Sequence, residues 1–329
     1  PAIQAAIDEA KAAGGGVIFL PAGRYRLATP VIVREGVMLR GDWAPPGKAR
    51  ADQTTLLMLT ANRGKADAAP AIAVERGTGL RELTLWHPDQ DAANPVSYPW
   101  AVALAKSATG DNTTLTHVTL VNPWRGISIG PDWNELHTLR GIYATPLSLG
   151  IFIDTVTDIG RLDEVDLSPR WWAESGLPGA PKAEALATTL AAATGVDMGR
   201  SDWEYIYRLR VQGYGTGMVI RASARGTTNA VMYGSALLGC GTALRLEGLN
   251  GVGLSVTACQ LGGTHGLATT DRFTTVAQFN SCQISSIDHT GRGVLTLQHC
   301  TVDGAANAER GTLSALDCDL GPVKLGVDV

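Results

Sequence analysis

Apolar residues along this chain recur with two spacings, one typical of a helix and the other typical of β-strands. Those between Ile3 and Ala10 fall on one helical face, and the run stops at Gly14-Gly15-Gly16. Residues 1–13 therefore predict a short amphipathic helix. The stretches GVIFLPAGRYRL and PVIVREGVMLRGD come next and predict strands, because each is apolar and bounded by Pro or Gly. Helical periodicity returns only near residue 181.

A four-residue pattern then repeats along the chain, with apolar side chains at its second and fourth positions. Self-similarity at a period near 20 residues is typical of a solenoid, in which each repeat forms one coil. Abundant glycine, 39 residues, fits many short strands joined by tight turns. The pattern occurs in ELTL (82–85), HVTL (117–120), EVDL (164–167), RLRV (208–211), ACQL, SCQI, HCTV and DCDL.

Five cysteines follow the same rhythm, with gaps of 19, 23, 18 and 18 residues between Cys240, Cys259, Cys282, Cys300 and Cys318. This spacing predicts a stack of small buried side chains, about one per coil. A disulfide framework is the alternative, but the count is odd and stacked neighbours would face the same way. Neither CxxC nor HxxxH spacing occurs, so we expect no metal ion and no cofactor.

One long interruption breaks the rhythm between EVDL and RLRV. Residues 168–180 are irregular and rich in Pro and Gly, and residues 181–194 predict an Ala-rich helix that begins at a proline. A solenoid accommodates such an insertion on one face, and that face often carries the function.

The opening AIQAAIDEAKAAGGGVIFLPAGRYRLATPVIVREGVMLRGD resembles the start of the pectate-lyase-like superfamily. GIFIDTVTDIGRLDEVDLSPRWW and VDMGRSDWEYIYRLRVQGYGTGMVI resemble its pectate lyase 3 and glycosyl hydrolase 28-related members. The resemblance implies an all-β fold, a single-stranded right-handed parallel β-helix, as one domain over residues 1–329. A cap helix would occupy residues 1–16, and a loop–helix insertion would occupy residues 168–196.

The resemblance also implies polysaccharide chemistry in a secreted or periplasmic protein, but the catalytic motifs of two branches fail here. A polygalacturonase would show Asn-Thr-Asp, Asp-Asp and Gly-His-Gly. This chain has DNTT at 111–114, GTHG at 263–266 and no Asp-Asp pair. The calcium-dependent pectate lyase pattern is not recognisable either. The resemblance therefore supports the architecture more than any one reaction.

Aromatic and arginine side chains follow three of the quartets at one repeat position, so we expect them to project from one edge of the stack. Tryptophan faces stack on sugar rings, and arginine binds carboxylates or hydroxyls. The alternative is that each Trp merely plugs the end of a coil. The predicted substrate-binding residues are Trp86, His87, Trp124, Arg125, Arg170, Trp171, Trp172 and, beside the acids of GRSDWEYIY, Trp203.

Glycoside hydrolysis needs two carboxyl groups, one protonated and one ionised, about 5–5.5 Å or 6.5–9.5 Å apart. Asp202 and Asp166 have the aromatic surroundings that favour a raised carboxyl pKa. Structural ion pairs of Asp158 with Arg161 and of Asp202 with Arg200 are the alternative. The predicted catalytic residues are Asp166, Asp202, Glu204, Asp158 and Asp154.

Charge and hydropathy exclude some partners. The formal net charge is −4 and no Lys/Arg-rich run occurs, which argues against nucleic acid. No stretch reaches the roughly 18 apolar residues of a membrane span. The chain begins at PAIQ with neither Met nor a signal pattern, so we expect a trimmed or processed product.

These observations favour a carbohydrate-active enzyme, first of all a glycoside hydrolase with a polysaccharide or oligosaccharide substrate. A metal-free lyase acting on a uronic-acid polymer is the runner-up, with Arg125, Arg140, Arg170 or Arg208 beside the substrate. The non-enzymatic alternative is a glycan-binding, tailspike-like β-helix. Assembly into a homo-oligomer stays open.

Overall fold

The protein, described here from a computed structural model, is a right-handed parallel β-helix over residues 1–46, 53–105 and 111–328. Strands of successive coils pair in parallel, and apolar side chains point into the space that the coils enclose. The predicted fold class, with its helical cap and its helical insertion, is confirmed.

Helix α1 (Ala2–Ala12) opens the chain, and short strands follow. These strands are β1 (Gly16–Leu20), β2 (Gly23–Leu27), β3 (Val31–Val33), β4 (Val37–Gly41), β5 (Thr55–Leu59), β6 (Ile72–Val74), β7 (Gly79–Trp86), β8 (Trp100–Leu104), β9 (Thr114–Leu120), β10 (Arg125–Ile129), β11 (Thr138–Ala144), β12 (Leu149–Ile153) and β13 (Gly160–Leu167).

The insertion comes next and contains α2 (Arg170–Ala173), a 3₁₀ helix (Ala183–Leu186) and α3 (Ala187–Ala191). The strands that follow are β14 (Thr194–Met198), β15 (Asp202–Tyr207), β16 (Arg210–Gln212), β17 (Thr216–Ile220), β18 (Thr228–Tyr233), β19 (Ala236–Leu246), β20 (Leu249–Thr257), β21 (Gln260–Thr269), β22 (Val276–Asn280), β23 (Gln283–Ile284), β24 (Ile287–His289), β25 (Val294–Gln298), β26 (Thr301–Val302), β27 (Ala306–Arg310), β28 (Thr312–Leu316), β29 (Asp319–Leu320) and β30 (Val323–Asp328).

The chain divides into two compact units. The first unit comprises Pro1–Phe152 and Val165–Leu190, and the second comprises Ile153–Glu164 and Ala191–Val329. Each has its own stack of paired strands and its own apolar core. The single domain over residues 1–329 stays a prediction.

Helix α1 caps the first coil through polar contacts as well as through buried Ile7. The Gln4 side chain accepts a hydrogen bond from the Ile32 backbone N–H (2.8 Å) and donates one to the Ile32 carbonyl (3.1 Å). Ion pairs of Arg34 with Asp8 and of Lys11 with Glu35 connect the helix to the loop after β3. The cap therefore satisfies backbone groups that an open strand edge would expose.

The repeated quartets mark one bend in each coil. The first residue of each quartet has a left-handed backbone conformation, with φ between 50° and 59°. The second and fourth residues are buried in nearly every coil, and the third points outward. Gly141 and Gly234 occupy the first position in two further coils. The left-handed residues of the eight quartets are Glu82, His117, Glu164, Arg208, Ala258, Ser281, His299 and Asp317.

Four of the cysteines occupy the second position of their quartets and form a ladder in the second unit. The backbone N–H of Cys282 donates to Cys300 Sγ at 3.5 Å, and that of Cys300 donates to Cys318 Sγ at 3.4 Å. Ser235 takes the same position one coil before Cys259, whereas Cys240 lies within β19, outside the ladder. All five thiols are free, as the spacing predicts.

The insertion is fixed to the first unit by hydrogen bonds and by burial. The Thr145 hydroxyl donates to the Ser168 carbonyl (2.6 Å) and accepts a hydrogen bond from the Trp172 backbone N–H (2.9 Å). Leu186 and Leu190 are buried. The long helix predicted over residues 181–194 is replaced by two short turns, and β14 already begins at Thr194.

Candidate functional site

A group of aromatic and ionisable side chains lies on the outer face of the first unit, and we call it the His117 cleft: Trp43, His117, Tyr143, Asp166 and Trp171. The Trp43 ring stacks on His117, with centroids 5.0 Å apart and planes 10° from parallel, and lies 5.8 Å from Tyr143. Its indole N–H donates to the Thr119 hydroxyl at 2.9 Å. Trp43, His117 and Tyr143 are half-buried, so each keeps an edge open to solvent.

The insertion closes one side of this cleft. Trp171 packs edge-on against Tyr143 at 5.1 Å, and its indole N–H donates to Asp166 Oδ1 at 3.1 Å. The Arg170 guanidinium lies over the indole ring, 4.0 Å from its centroid. Trp171 is itself buried. It therefore positions Asp166 and Tyr143, while exposed Arg170, which also forms an ion pair with Glu174 at 3.8 Å, lies at the rim.

Register explains how residues so distant in sequence meet. Leu56 pairs with Thr84, Thr84 with Thr119, and Thr119 with Tyr143, so these outward side chains form one row across four coils. Leu56, Thr84 and Thr119 of this row line a cavity of about 40 Å³ together with Trp171, Ser175 and Leu177 of the insertion, enough for about three water molecules.

A second row, formed by the residues just before the quartet bend, is rich in arginine. Arg40 pairs in register with Arg81, Arg81 with Thr116, and Thr116 with Arg140. Glu82 accepts hydrogen bonds from Arg40 (2.7 Å) and Arg81 (3.1 Å). Arginine therefore occupies three of the four positions in this row, and Thr116 is followed directly by His117.

The second unit brings together three of the five predicted catalytic acids. Asp154 Oδ1 accepts hydrogen bonds from the backbone N–H groups of Thr155 (2.8 Å) and Arg200 (2.9 Å). The Arg200 guanidinium pairs with Asp202 at 2.7 Å, which is the structural ion pair that the sequence suggested. Glu204 is fully buried and accepts a hydrogen bond from the Ser201 hydroxyl at 2.7 Å.

Asp158 is exposed in the same unit. Asp166, the fifth predicted acid, belongs to the first unit and to the His117 cleft. The second unit also presents Trp203, which lies between Asp202 and Glu204 on β15 and is 44% exposed.

Residues 1–156 match the family model described as Rhamnogalacturonase A/epimerase, pectate lyase-like. Residues 1–156 therefore match the pectate-lyase-like family. Two sequence relatives from Azotobacter vinelandii are the mannuronan C5-epimerases AlgE1, 51% identical over 49 residues, and AlgE4, 35% identical over 86 residues. These matches cover 13% and 25% of this chain and span 4% and 16% of the relatives' lengths.

Solved structures resemble this chain over nearly its whole length. The A-module of Azotobacter vinelandii AlgE4 superposes with a TM-score of 0.61 at 15% identity and covers 99% of this chain and 92% of that one. A tailspike protein of the E. coli bacteriophage HK620, solved with a hexasaccharide, gives 0.58 at 11% identity and covers 98% and 60%. At these identities the likeness shows the fold alone.

Four of the predicted sugar-binding side chains are buried instead, Trp171 in the His117 cleft and three outside it. Trp86, His87 and Trp172 are buried, so none offers a ring face to a ligand. His87 packs on Tyr98 with centroids 4.2 Å apart. Trp172 belongs to the contact that fixes the insertion. Alternation along a strand predicts only which way a side chain leaves the backbone, and here other chain segments cover these rings.

Trp124 and Arg125 occupy a different setting in the first unit. Trp124 is half-buried. Arg125 pairs with Asp67 at 3.2 Å and lies 5.7 Å from the Trp100 ring, its register partner. These contacts hold Arg125 in a local cluster with Trp100 and Asp67, and the contacts that define the His117 cleft do not involve it.

Sequence reasoning missed Trp43, His117 and Tyr143, which are three of the five side chains that define the cleft. Trp43 lies in an irregular segment after β4, outside any quartet. A signal for the other two existed, because His117 opens the HVTL quartet and Tyr143 is the third, outward residue of GIYA. Reading the outward quartet positions as one row would have placed Thr119, Tyr143 and Asp166 together.

Two further properties concern the described residues as a whole. Across 1–46, 53–105 and 111–328, no group of three or more His, Cys, Asp or Glu side chains could hold a metal ion. The described helices all lack the length and apolar character needed to cross a bilayer.

Proposed function

We propose that the protein acts on a uronic-acid polysaccharide, that the His117 cleft is its active site, and that the reaction begins with transfer of the proton on C5 of a uronate ring. The observation that carries this proposal is the packing of His117 and Tyr143 on one tryptophan, Trp43, near the arginine side chains of Arg140 and Arg170. Such a reaction needs an acid–base pair and a positive charge near the substrate carboxylate.

The proton on C5 of a uronate becomes more acidic when its carboxylate is neutralised. Arg140 on β11 and Arg170 in the insertion are exposed and can approach that carboxylate. One of His117 and Tyr143 then takes the C5 proton, leaving the electron pair delocalised into the carboxylate. Return of a proton to the opposite face of the ring inverts C5. Alternatively, the second group protonates the C4 oxygen, which leaves; the glycosidic bond is then broken and a C4–C5 double bond forms.

The comparisons support the same chemistry by analogy. The named sequence relatives are mannuronan C5-epimerases, whose names specify a uronate polymer and the carbon at which they act. The family model joins rhamnogalacturonase A, epimerases and a pectate-lyase-like fold. A substrate of this kind also supports a location outside the cytoplasm, as the sequence predicts.

Glycoside hydrolysis, which the sequence favours, is the second candidate. The observation in its favour is that Asp202 and Glu204 lie on either side of exposed Trp203 on β15 in different environments, one half-exposed and one fully buried. Two carboxyl groups in unlike environments are what an acid–nucleophile or acid–base pair requires.

One product analysis separates the candidates. The protein is incubated with mannuronan, with polygalacturonan and with a neutral polysaccharide. C5 chemistry gives either an unsaturated, ultraviolet-absorbing end or an inverted residue visible by NMR, without net hydrolysis. Reducing ends without unsaturation would favour hydrolysis.

Variants then test the residues. His117→Gln and Tyr143→Phe should each lower kcat by roughly 100-fold or more, the usual contribution of a positioned acid or base. His299→Gln, a change at a half-exposed histidine of the second unit, serves as the matched control and should keep wild-type turnover. Full activity in both cleft variants, or loss of activity in Asp202→Asn and Glu204→Gln instead, would contradict the proposed site.

A further inference from the structure

Three aromatic rings stand in line on the outer face of β15 in the second unit. Trp203 and Tyr205 have ring centroids 6.5 Å apart, and Tyr205 and Tyr207 have centroids 6.2 Å apart, with planes within 20° of parallel. Tyr233 on β18 pairs in register with Tyr207 and is 53% exposed. We call Trp203, Tyr205, Tyr207 and Tyr233 the β15 strip.

The backbone gives a second, independent indication that Trp203 is a functional residue. Its φ is 67°, a left-handed value that is unusual for a bulky side chain. The strand register shifts between Asp202 and Glu204, so Trp203 occupies the bulge. A large residue held in a sparsely populated conformation costs of order 1–3 kcal/mol and is typical of functional positions. Here the bulge carries a large apolar ring that is 44% exposed.

Polar groups border the strip, and several are already paired. Asp163, the register partner of Tyr207, forms an ion pair with Arg208 at 2.5 Å. At the other end Arg200 pairs with Asp202 at 2.7 Å. Such pairs offer hydrogen-bond donors and acceptors at the rim, while the two ion pairs themselves carry no net charge.

We infer that the β15 strip is a glycan-binding platform, separate in function from the His117 cleft, on which successive sugar rings of an extended chain rest. A sugar has apolar C–H faces and a rim of hydroxyl groups, which matches aromatic rings bordered by paired polar side chains. Exposed aromatic residues concentrated in one contiguous patch mark an interaction surface. The inference rests on the proposed polysaccharide substrate but not on the reaction performed in the cleft.

Two variants remove the strip in different ways. Trp203→Asn removes the ring with a residue that tolerates a left-handed backbone, and Tyr205→Ala combined with Tyr207→Ala removes the other two rings of β15. Trp203→Phe keeps an aromatic face. Trp133→Ala is the matched control, because Trp133 is 45% exposed and lies in the first unit.

The measurement is affinity for mannuronan chains and for a neutral oligosaccharide, by calorimetry or by affinity electrophoresis. Trp203→Asn and the double tyrosine variant should bind at least tenfold more weakly. Trp203→Phe and Trp133→Ala should stay within about threefold of wild type. Circular dichroism and the melting temperature should confirm that each variant is folded.

Unchanged affinity in both strip variants would overturn the inference. So would sedimentation showing a wild-type dimer that Trp203→Asn converts to monomer, because the strip would then be a contact between copies of the chain. Failure of the proposed reaction is distinguishable: His117→Gln should lose turnover and keep binding to the strip, whereas the strip variants should keep turnover of a short oligosaccharide.

Discussion

At the scale of single residues, burial sets the charge of His87. The side chain is 2% exposed, and burial lowers the pKa of its imidazole from 6.5 to about 4. The folded protein therefore keeps His87 neutral in mildly acidic solution, where an unfolded chain would protonate it. Because the folded-state value lies below the unfolded one, stability is fully present above pH 6.5 and is lost as the pH falls towards 4.

The expected loss from His87 is about 3 kcal/mol across that interval, at about 1.4 kcal/mol per pKa unit. Urea denaturation between pH 7.5 and 4 measures it. His87→Gln should be less stable than wild type at pH 7.5 but should lose less stability on acidification. His299→Gln, at a half-exposed histidine, should follow the wild-type curve. A His87→Gln curve parallel to wild type would mean that another group dominates.

Residue type alone could not separate core tryptophans from surface ones. Trp86, Trp172 and Trp203 all follow or occupy strands, yet the first two are buried and the third is 44% exposed. The difference comes from chain segments that pack on the side chains after a strand, such as residues 87–98, where Tyr98 packs on His87 and Gln90 holds the Val96 backbone through hydrogen bonds of 2.7 and 2.9 Å. Such packing has no signal in local periodicity.

At the scale of elements, the quartet was visible in the sequence but its bend was not. Buried second and fourth residues follow directly from apolar alternation. The left-handed conformation of the first residue could not be predicted, because Glu, His, Arg, Ala, Ser and Asp occupy that position as well as the Gly that such a conformation normally favours. The bend matters to the site, since it places His117 beside the outward row that contains Tyr143.

Gly141 occupies the first quartet position in the coil that carries Tyr143, and it has a second constraint. Its φ is 62°, and a Cβ added there would lie 2.5 Å from His117 Cδ2. Gly141→Ala should therefore destabilise the protein by about 1–3 kcal/mol. It should also push the imidazole away from Trp43 and lower turnover.

Gly234→Ala separates the two effects. Gly234 occupies the same quartet position with φ 59°, and no atom lies within 4 Å of an added Cβ. In thermal or urea denaturation, Gly234→Ala should lose only the stability that the left-handed backbone costs an alanine, about 1 kcal/mol. If both variants lost the same stability and Gly141→Ala kept full turnover, the contact with His117 would have no role in the site.

At the scale of the whole molecule, the fold was predictable and the reaction was not. The 20-residue rhythm and the opening run specify a parallel β-helix, because both depend on backbone pairing that recurs in every coil. The site depends on which side chains meet across coils, and that requires the register and the path of the insertion. Asp166, Arg170 and Trp171 were found because they flank that insertion, whereas Trp43 reaches the cleft from an irregular segment.

The net charge of the molecule, −4, opposes a polyanionic substrate, so the exposed guanidinium groups of Arg140 and Arg170 must provide the local attraction. Electrostatic attraction of this kind is screened within about 10 Å at 0.1 M salt and within a few ångströms near 1 M. The Michaelis constant for the uronate polymer should therefore rise about tenfold or more between low salt and about 0.5 M NaCl. Arg140→Gln combined with Arg170→Gln should raise it at low salt and flatten the salt dependence.

Arg272→Gln combined with Arg292→Gln changes the net charge by the same amount at exposed positions of the second unit, and should leave the Michaelis constant close to that of wild type. Equal effects in the two double variants would assign the attraction to total charge instead of to the cleft. If the Michaelis constant of the wild type did not change with salt concentration, the substrate would be a neutral sugar, because salt screens only the attraction between charged groups. The arginines would then be surface residues, and the carboxyl pair on β15 would become the stronger candidate for the chemistry.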